Sequence, residues 1–181
     1  MTTKDLLSLH NGRFRLFGLP ALQGQGDVAF IDRLVYAVRP QVVVEIGAGG
    51  GALSLYLYVM SQALDFTLYS YDIEYQAEAA VLTGLVPRET FITHDIRNGL
   101  PTHVYDEGVL VLVDDDDKPY TASLVGAALG EGGVVAAHDW PTRHAAGCPF
   151  TQREFTAEGC DEFMLTEAEL LYSDWRAWRK R

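Results

Sequence analysis

Val42-Val43-Val44-Glu45-Ile46-Gly47-Ala48-Gly49-Gly50-Gly51-Ala52-Leu53 is a β-branched run that meets clustered glycines and then passes into a helical pattern of Leu, Tyr and Val. It reads as a buried strand, a tight turn and a helix start, the first half of a βαβ unit. Such a turn suits an anionic or nucleotide-like ligand. Glycines let backbone N–H groups approach without a Cβ in the way, and a helix beginning near Gly51 presents unpaired donors and its positive end.

On the N-terminal side, Asp27 is expected to cap a helix through Val38, with Ile31, Leu34, Val35 and Val38 at helical spacing and Pro40 stopping it. Residues 1 to 26, broken by Gly12, Gly18, Pro20, Gly24 and Gly26, read as a loose leader over a ligand pocket. On the C-terminal side, helix and strand patterns alternate: helix Leu53 to Leu64, strand Phe66 to Tyr71 ending at Asp72, and a short helix Gln76 to Leu82. Then come strands Thr90 to Thr93 and Val109 to Val113, helix Tyr120 to Leu129 and strand Val134 to Ala137. This rhythm specifies an α/β fold whose mostly parallel sheet carries helices on both faces. Phe163 to Thr166 and Asp174 to Arg179 lie too close for a helical crossover and are expected to form a C-terminal antiparallel hairpin. Strand geometry turns Trp175 and Trp178 to opposite faces, as core or dimer contacts. The tail Arg176, Arg179, Lys180 and Arg181 reads as a solvated terminus.

The 181 residues, 48% of them hydrophobic, suffice for one domain: leader and helix over 1–39, ligand-binding core over 40–140, and a lid segment and terminal hairpin over 141–181. A formal net charge of −11, with 14 Lys and Arg, argues against nucleic acid as a partner. Two cysteines, Cys148 and Cys160, form no disulfide framework and fit a reducing, cytoplasmic location. Neither a secretory signal nor a membrane span of roughly 20 apolar residues is visible in the sequence. Homo-oligomerisation is left open.

Gly47, Gly49 and Ala52 satisfy the dinucleotide fingerprint GxGxxG/A, with Asp72 ending the next strand to bind a ribose hydroxyl. The same stretch satisfies Glu45-x-Gly47-x-Gly49-x-Gly51, which resembles motif I of class I S-adenosylmethionine (SAM)-dependent methyltransferases. Tyr71-Asp72-Ile73 resembles motif II of that family, and a carboxylate there suits two ribose hydroxyls because it accepts two hydrogen bonds. The resemblance implies a Rossmann-like, doubly wound, seven-stranded sheet, with Glu45, Gly47, Gly49, Gly51, Asp72, Asp95 and Asp114 at the cofactor and Asp95 near the adenine. Two of these have local alternatives: Glu45 receiving backbone N–H groups at the turn, and Asp95 capping the turn Asp95 to Gly99.

Val109 to Val113 runs into Asp114-Asp115-Asp116-Asp117-Lys118, and four adjacent like charges are either solvated or neutralised by a cation. The next strand ends Ala137-His138-Asp139-Trp140. Parallel neighbours bring Asp114 together with His138 and Asp139, a plausible site for Mg²⁺ or Mn²⁺. The segment Val109 to Trp140 resembles small-molecule O-methyltransferases related to the cephalosporin-hydroxylase and rhamnosyl O-methyltransferase group, with catechol O-methyltransferase more distant. That resemblance implies Asp114, His138 and Asp139 as metal ligands that hold the acceptor oxygen. His138 stands where many metal-dependent relatives carry an acid, and Asp117 where relatives often carry a histidine.

The expected activity is O-methylation of a small hydroxylated molecule. Asp139 takes part, and His138 or His144 accepts the proton where no metal is present. Trp140, His144, Phe150 and Phe155 either shape the acceptor pocket or pack a lid. A nicotinamide-dependent oxidoreductase and a noncatalytic protein that keeps the cofactor fold are the alternatives.

Overall fold

A computed structural model describes residues 15–16, 19–20, 23–74, 84–139, 159–163, 173 and 175–181. The expected helix at Gln76 to Leu82, and Trp140, His144, Cys148, Phe150 and Phe155, lie outside the described residues.

The strands are β1 (Arg15–Leu16), β2 (Leu19–Pro20), β3 (Val42–Ile46), β4 (Thr67–Asp72), β5 (Phe91–Thr93), β6 (Val109–Val113), β7 (Val134–Ala137), β8 (Cys160–Glu162) and β9 (Arg176–Lys180). The helices are α1 (Gln25–Val38), α2 (Ala52–Leu64) and α3 (Lys118–Ala128). Apart from the small β1–β2 pair, the strands form one seven-stranded sheet in the order β5-β4-β3-β6-β7-β9-β8. β3 to β7 run parallel, while β9 is antiparallel to both β7 and β8.

β6 shows why the sheet needs two covered faces. All five of its residues are buried, so neither face can meet water. Leu110 and Leu112 join Ile31, Leu34 and Val35 of α1 and Leu53, Leu57 and Met60 of α2 on one face. Val109, Val111 and Val113 meet Ala122 and Val125 of α3 on the other. The period-2 alternation of a strand is what splits one apolar run between two cores. Trp175 lies in the first core and Trp178 in the second, as the strand geometry predicts.

Four local expectations change. Helix α1 begins two residues before Asp27, with Gly24 at the N-cap; Asp27 sits at the third helical position and accepts the Gly24 N–H at 2.7 Å. The leader is less loose at its end than expected, because Gln23 is buried against the site described below. The first hairpin strand comes earlier, at Cys160–Glu162, pairing with Lys180 to Trp178. It is an edge strand, and its exposed acids Asp161 and Glu162 blunt that edge, so an apolar pattern is not what marks it. The basic tail is no solvated terminus: β9 lies inside the sheet, and Arg176 is buried with its guanidinium donating to the Ser173 and Trp175 carbonyls. No helix among the described residues is long and apolar enough to cross a membrane.

Candidate active site

From β3 the chain moves outward through β4 to β5, then returns to lay β6 on the other side of β3. A crevice opens at such a switch point, outside the C-terminal ends of the strands. Here it is a cavity of about 820 Å³ lined by the glycine turn, Asp72, Asp95, the Asp114 to Lys118 run, His138 and Asp139.

The glycine turn is set by its neighbours. The N–H groups of Gly47 and Ala48 both donate to the Tyr71 carbonyl, at 2.9 and 3.2 Å. Gly47 has φ +93°, and a Cβ there would stand 2.5 Å from the Asp114 carbonyl oxygen, so only glycine lets β3 and β6 close together. Gly49, at φ +51°, faces open space and donates its N–H to Asp72 Oδ2 at 2.7 Å. Gly51 caps α2 in the left-handed region.

Asp72 closes β4 beside this turn, its Oδ1 accepting the Glu74 N–H at 3.2 Å. Asp95 lines the cavity too, but its carboxylate turns to Arg97, accepting that residue's backbone N–H at 2.9 Å and its guanidinium at 2.8 Å. Those bonds hold the Asp95 carboxyl below its usual range. The structure thus places the Asp95 side chain in the turn-capping arrangement.

Glu45 receives neither backbone N–H groups nor solvent. It is 1% exposed and takes the hydroxyls of Ser54 and Ser70 on the same oxygen, both at 2.6 Å, leaving Oε1 without a hydrogen-bond partner. Burial pushes its carboxyl up to about 7 against the pull of the two hydroxyls, with the charges of Asp114 and Asp72 adding to the rise. Folding therefore takes up a proton that the unfolded chain has released by about 4.5, and stability falls as pH rises from there to 7. Glu45→Gln is expected to flatten this fall, worth on the order of 3 kcal/mol, in urea titrations at pH 4.5 and 8.

The remaining groups meet at the ends of β6 and β7. Asp114 Oδ1 accepts His138 Nδ1–H at 3.0 Å, and Oδ2 accepts the Gln23 amide at 2.6 Å. His138 Nε2 lies 3.7 Å from Asp27 Oδ2, and Ser173 donates its hydroxyl to Asp27 Oδ1 at 3.0 Å. Burial works to lower the His138 pKa, but the hydrogen bond to Asp114 and the nearby charges of Asp114 and Asp27 outweigh it and push it up to about 10. Among the described residues, His138 Nε2 has no hydrogen-bond partner.

Asp114, His138 and Asp139 each offer a ligand atom within 4.8 Å of the others, so the sequence-expected trio converges. Sequence reasoning missed Lys118. Its ammonium lies 3.2 Å from Asp114 Oδ1 and 3.1 Å from Asp139 Oδ2, and it donates to the Asp115 carbonyl at 2.8 Å. A cationic side chain directly after the four-aspartate run thus lies between two of the candidate ligands. The one available signal was a lone lysine directly after the acids and before Pro119, where helix α3 turns the side chain back.

Among solved structures, the chain superposes on CmcI with bound S-adenosylhomocysteine (SAH), with a TM-score of 0.68 at 15% identity over 93% of this chain and 83% of that one. On CmcI with Mg-SAM the TM-score is 0.66 at 14% identity, over 93% and 77%. The fold is that of class I SAM-dependent methyltransferases. Magnesium protoporphyrin IX methyltransferase from Synechocystis PCC 6803 with bound SAM gives a TM-score of 0.55 at 18% identity, over 86% and 80%. Streptomyces venezuelae DesVI gives 0.59 at 12% identity over 98% and 97%. No protein-family model matches the chain, and no curated protein does. In a methyltransferase fold with this strand order, the cavity lies where the parallel strands end.

Proposed function

We propose that this chain is a SAM-dependent methyltransferase that methylates a hydroxyl oxygen of a small molecule. One observation carries the reading: the glycine turn with Asp72 and the Asp114–Lys118–His138–Asp139 cluster open onto the same cavity. Its volume is that of a small-molecule site, and the open space at Gly49 lets a ligand approach the backbone closely. The acid-rich lining also suits a cofactor that carries a sulfonium and an ammonium group.

Bound SAM supplies an electrophilic methyl group. Asp72 would hold the two ribose hydroxyls of the cofactor, and the Gly47 to Gly51 turn would fix its approach. Asp139 faces the acceptor, since its side chain is 59% exposed against 17% for Lys118, 11% for Asp114 and 10% for His138. With SAM bound, the acceptor oxygen would form its bond to the methyl carbon as the carbon–sulfur bond breaks and SAH leaves, and the O–H, made strongly acidic as its oxygen loses electron density, would give its proton to the weakly basic Asp139 carboxylate. Lys118, itself paired with Asp114, holds Asp139 in place for that transfer.

Calorimetry with SAH and with NAD tests the cofactor, and sustained formation of SAH from SAM across a panel of hydroxylated acceptors tests turnover. Binding of NAD in place of SAH would favour the oxidoreductase instead, and SAH binding without turnover the noncatalytic reading. Asp72→Ala is expected to weaken SAH binding about 10- to 100-fold, the scale of hydrogen bonds to a charged group.

A further inference from the structure

We propose that Lys118 holds the place of a divalent cation in this site, so that methyl transfer by this chain runs without a metal. The consequence for catalysis rests on the methyltransferase reading; the exclusion of the ion does not.

An ion bound by Asp114 and Asp139 would lie between Asp114 Oδ1 and Asp139 Oδ2, and the Lys118 ammonium already spans those two oxygens at 3.2 and 3.1 Å. These are ammonium-to-carboxylate distances, well beyond the roughly 2.0–2.6 Å that Mg²⁺ or Ca²⁺ requires of oxygen ligands. The third candidate ligand faces the same gap but is already engaged: His138 Nδ1 lies 3.0 Å from Asp114 Oδ1 and 3.6 Å from Asp139 Oδ1. Asp114 Oδ2 is likewise taken by Gln23.

Lys118 is not a surface lysine that happens to reach the site. It opens α3 directly before Pro119, its side chain is 17% exposed, and its third donor is anchored on the Asp115 carbonyl at 2.8 Å. All three ammonium hydrogens are thereby used, so none remains to touch an acceptor. Lys118 is a positioning residue: it neutralises Asp114 and Asp139, fixes the distance between them and denies the gap to a metal.

The experiment is titration of Mn²⁺, followed by electron paramagnetic resonance, into the full chain and its variants. Wild type and Lys118→Arg are expected to leave the free-ion signal unchanged. Lys118→Met, which keeps the stem and removes the charge, is expected to bind one Mn²⁺ about tenfold or more tightly than wild type, the scale of removing an adjacent unit charge. Lys118→Met with Asp139→Asn is expected to lose that ion again. Lys118→Gln provides a second neutral variant, and thermal melts identify any that fail to fold. Two results overturn the proposal: one Mn²⁺ bound by wild type and lost in Asp139→Asn, or no gain of binding in folded Lys118→Met and Lys118→Gln. SAH titrated into the same samples reports on the methyltransferase reading separately, so a failure there is told apart from a failure here.

Discussion

Asp139→Asn lowers the rate of methyl transfer by about 100- to 10,000-fold, the range for a positioned proton acceptor, while SAH affinity stays within about twofold. The residue sits at φ +58°, where asparagine is among the few side chains tolerated; alanine would add backbone strain to the chemical loss. Asparagine also keeps an oxygen for the Lys118 ammonium at 3.1 Å, so the cluster is not dismantled. What disappears is the ability to take a proton. Rates of SAH formation with an acceptor found in the panel, set beside calorimetric SAH binding, separate the two quantities. Turnover equal to wild type would remove Asp139 from the chemistry and return the proton to His138 or His144, the latter outside the described residues.

The parts of this site that follow from chain direction are legible in the sequence. Val109 to Val113 and Val134 to Ala137 are buried runs expected as neighbours in a parallel sheet, with their ends opening on one side, and they pair in that way. That logic brings Asp114 to His138 and Asp139 without any knowledge of side-chain orientation. It fails where a side chain chooses among local partners. Asp95 has Arg97 two residues away, and its carboxylate takes that guanidinium while the residue still lines the cavity. Glu45 shows the same limit: the acid is visible, but Ser54 and Ser70, nine and 25 positions away, are what satisfy it.

The cluster's charge balance was the hardest feature to read. Four consecutive aspartates advertise a cation, and an inorganic ion is the obvious candidate when three ligands converge. Placing the Lys118 ammonium among those ligands requires knowing that α3 begins at that residue. Boundaries at that scale are the weakest product of sequence patterns. Asp27 illustrates the same point. A shift of α1 by two residues moves it from a helix cap to a buried carboxylate that joins the Gly24 N–H, Ser173 and His138.

Gly47→Ala is expected to destabilise the fold by about 3 kcal/mol or more, combining left-handed backbone strain with overpacking. Its φ of +93° already disfavours any side chain, and the added Cβ would stand 2.5 Å from the Asp114 carbonyl oxygen and 2.7 Å from the Asp115 nitrogen. Both atoms are backbone at the end of β6, so neither can rotate aside. Relief must come from spreading β3 from β6, which strains the Asp114 N–H bond to the Ile46 carbonyl at 2.8 Å and shifts Asp114 away from His138 and Lys118. The loss should appear in urea unfolding and in SAH binding together. Gly49→Ala is the control, because its φ of +51° costs only about 1–2 kcal/mol and its Cβ meets nothing within 4 Å. That Cβ projects into open space of the cavity, so the variant should stay folded yet bind SAH poorly. Equal stability of the two variants would mean that the β3–β6 junction has room to give, and with it that the glycine turn does not set the position of the acidic cluster.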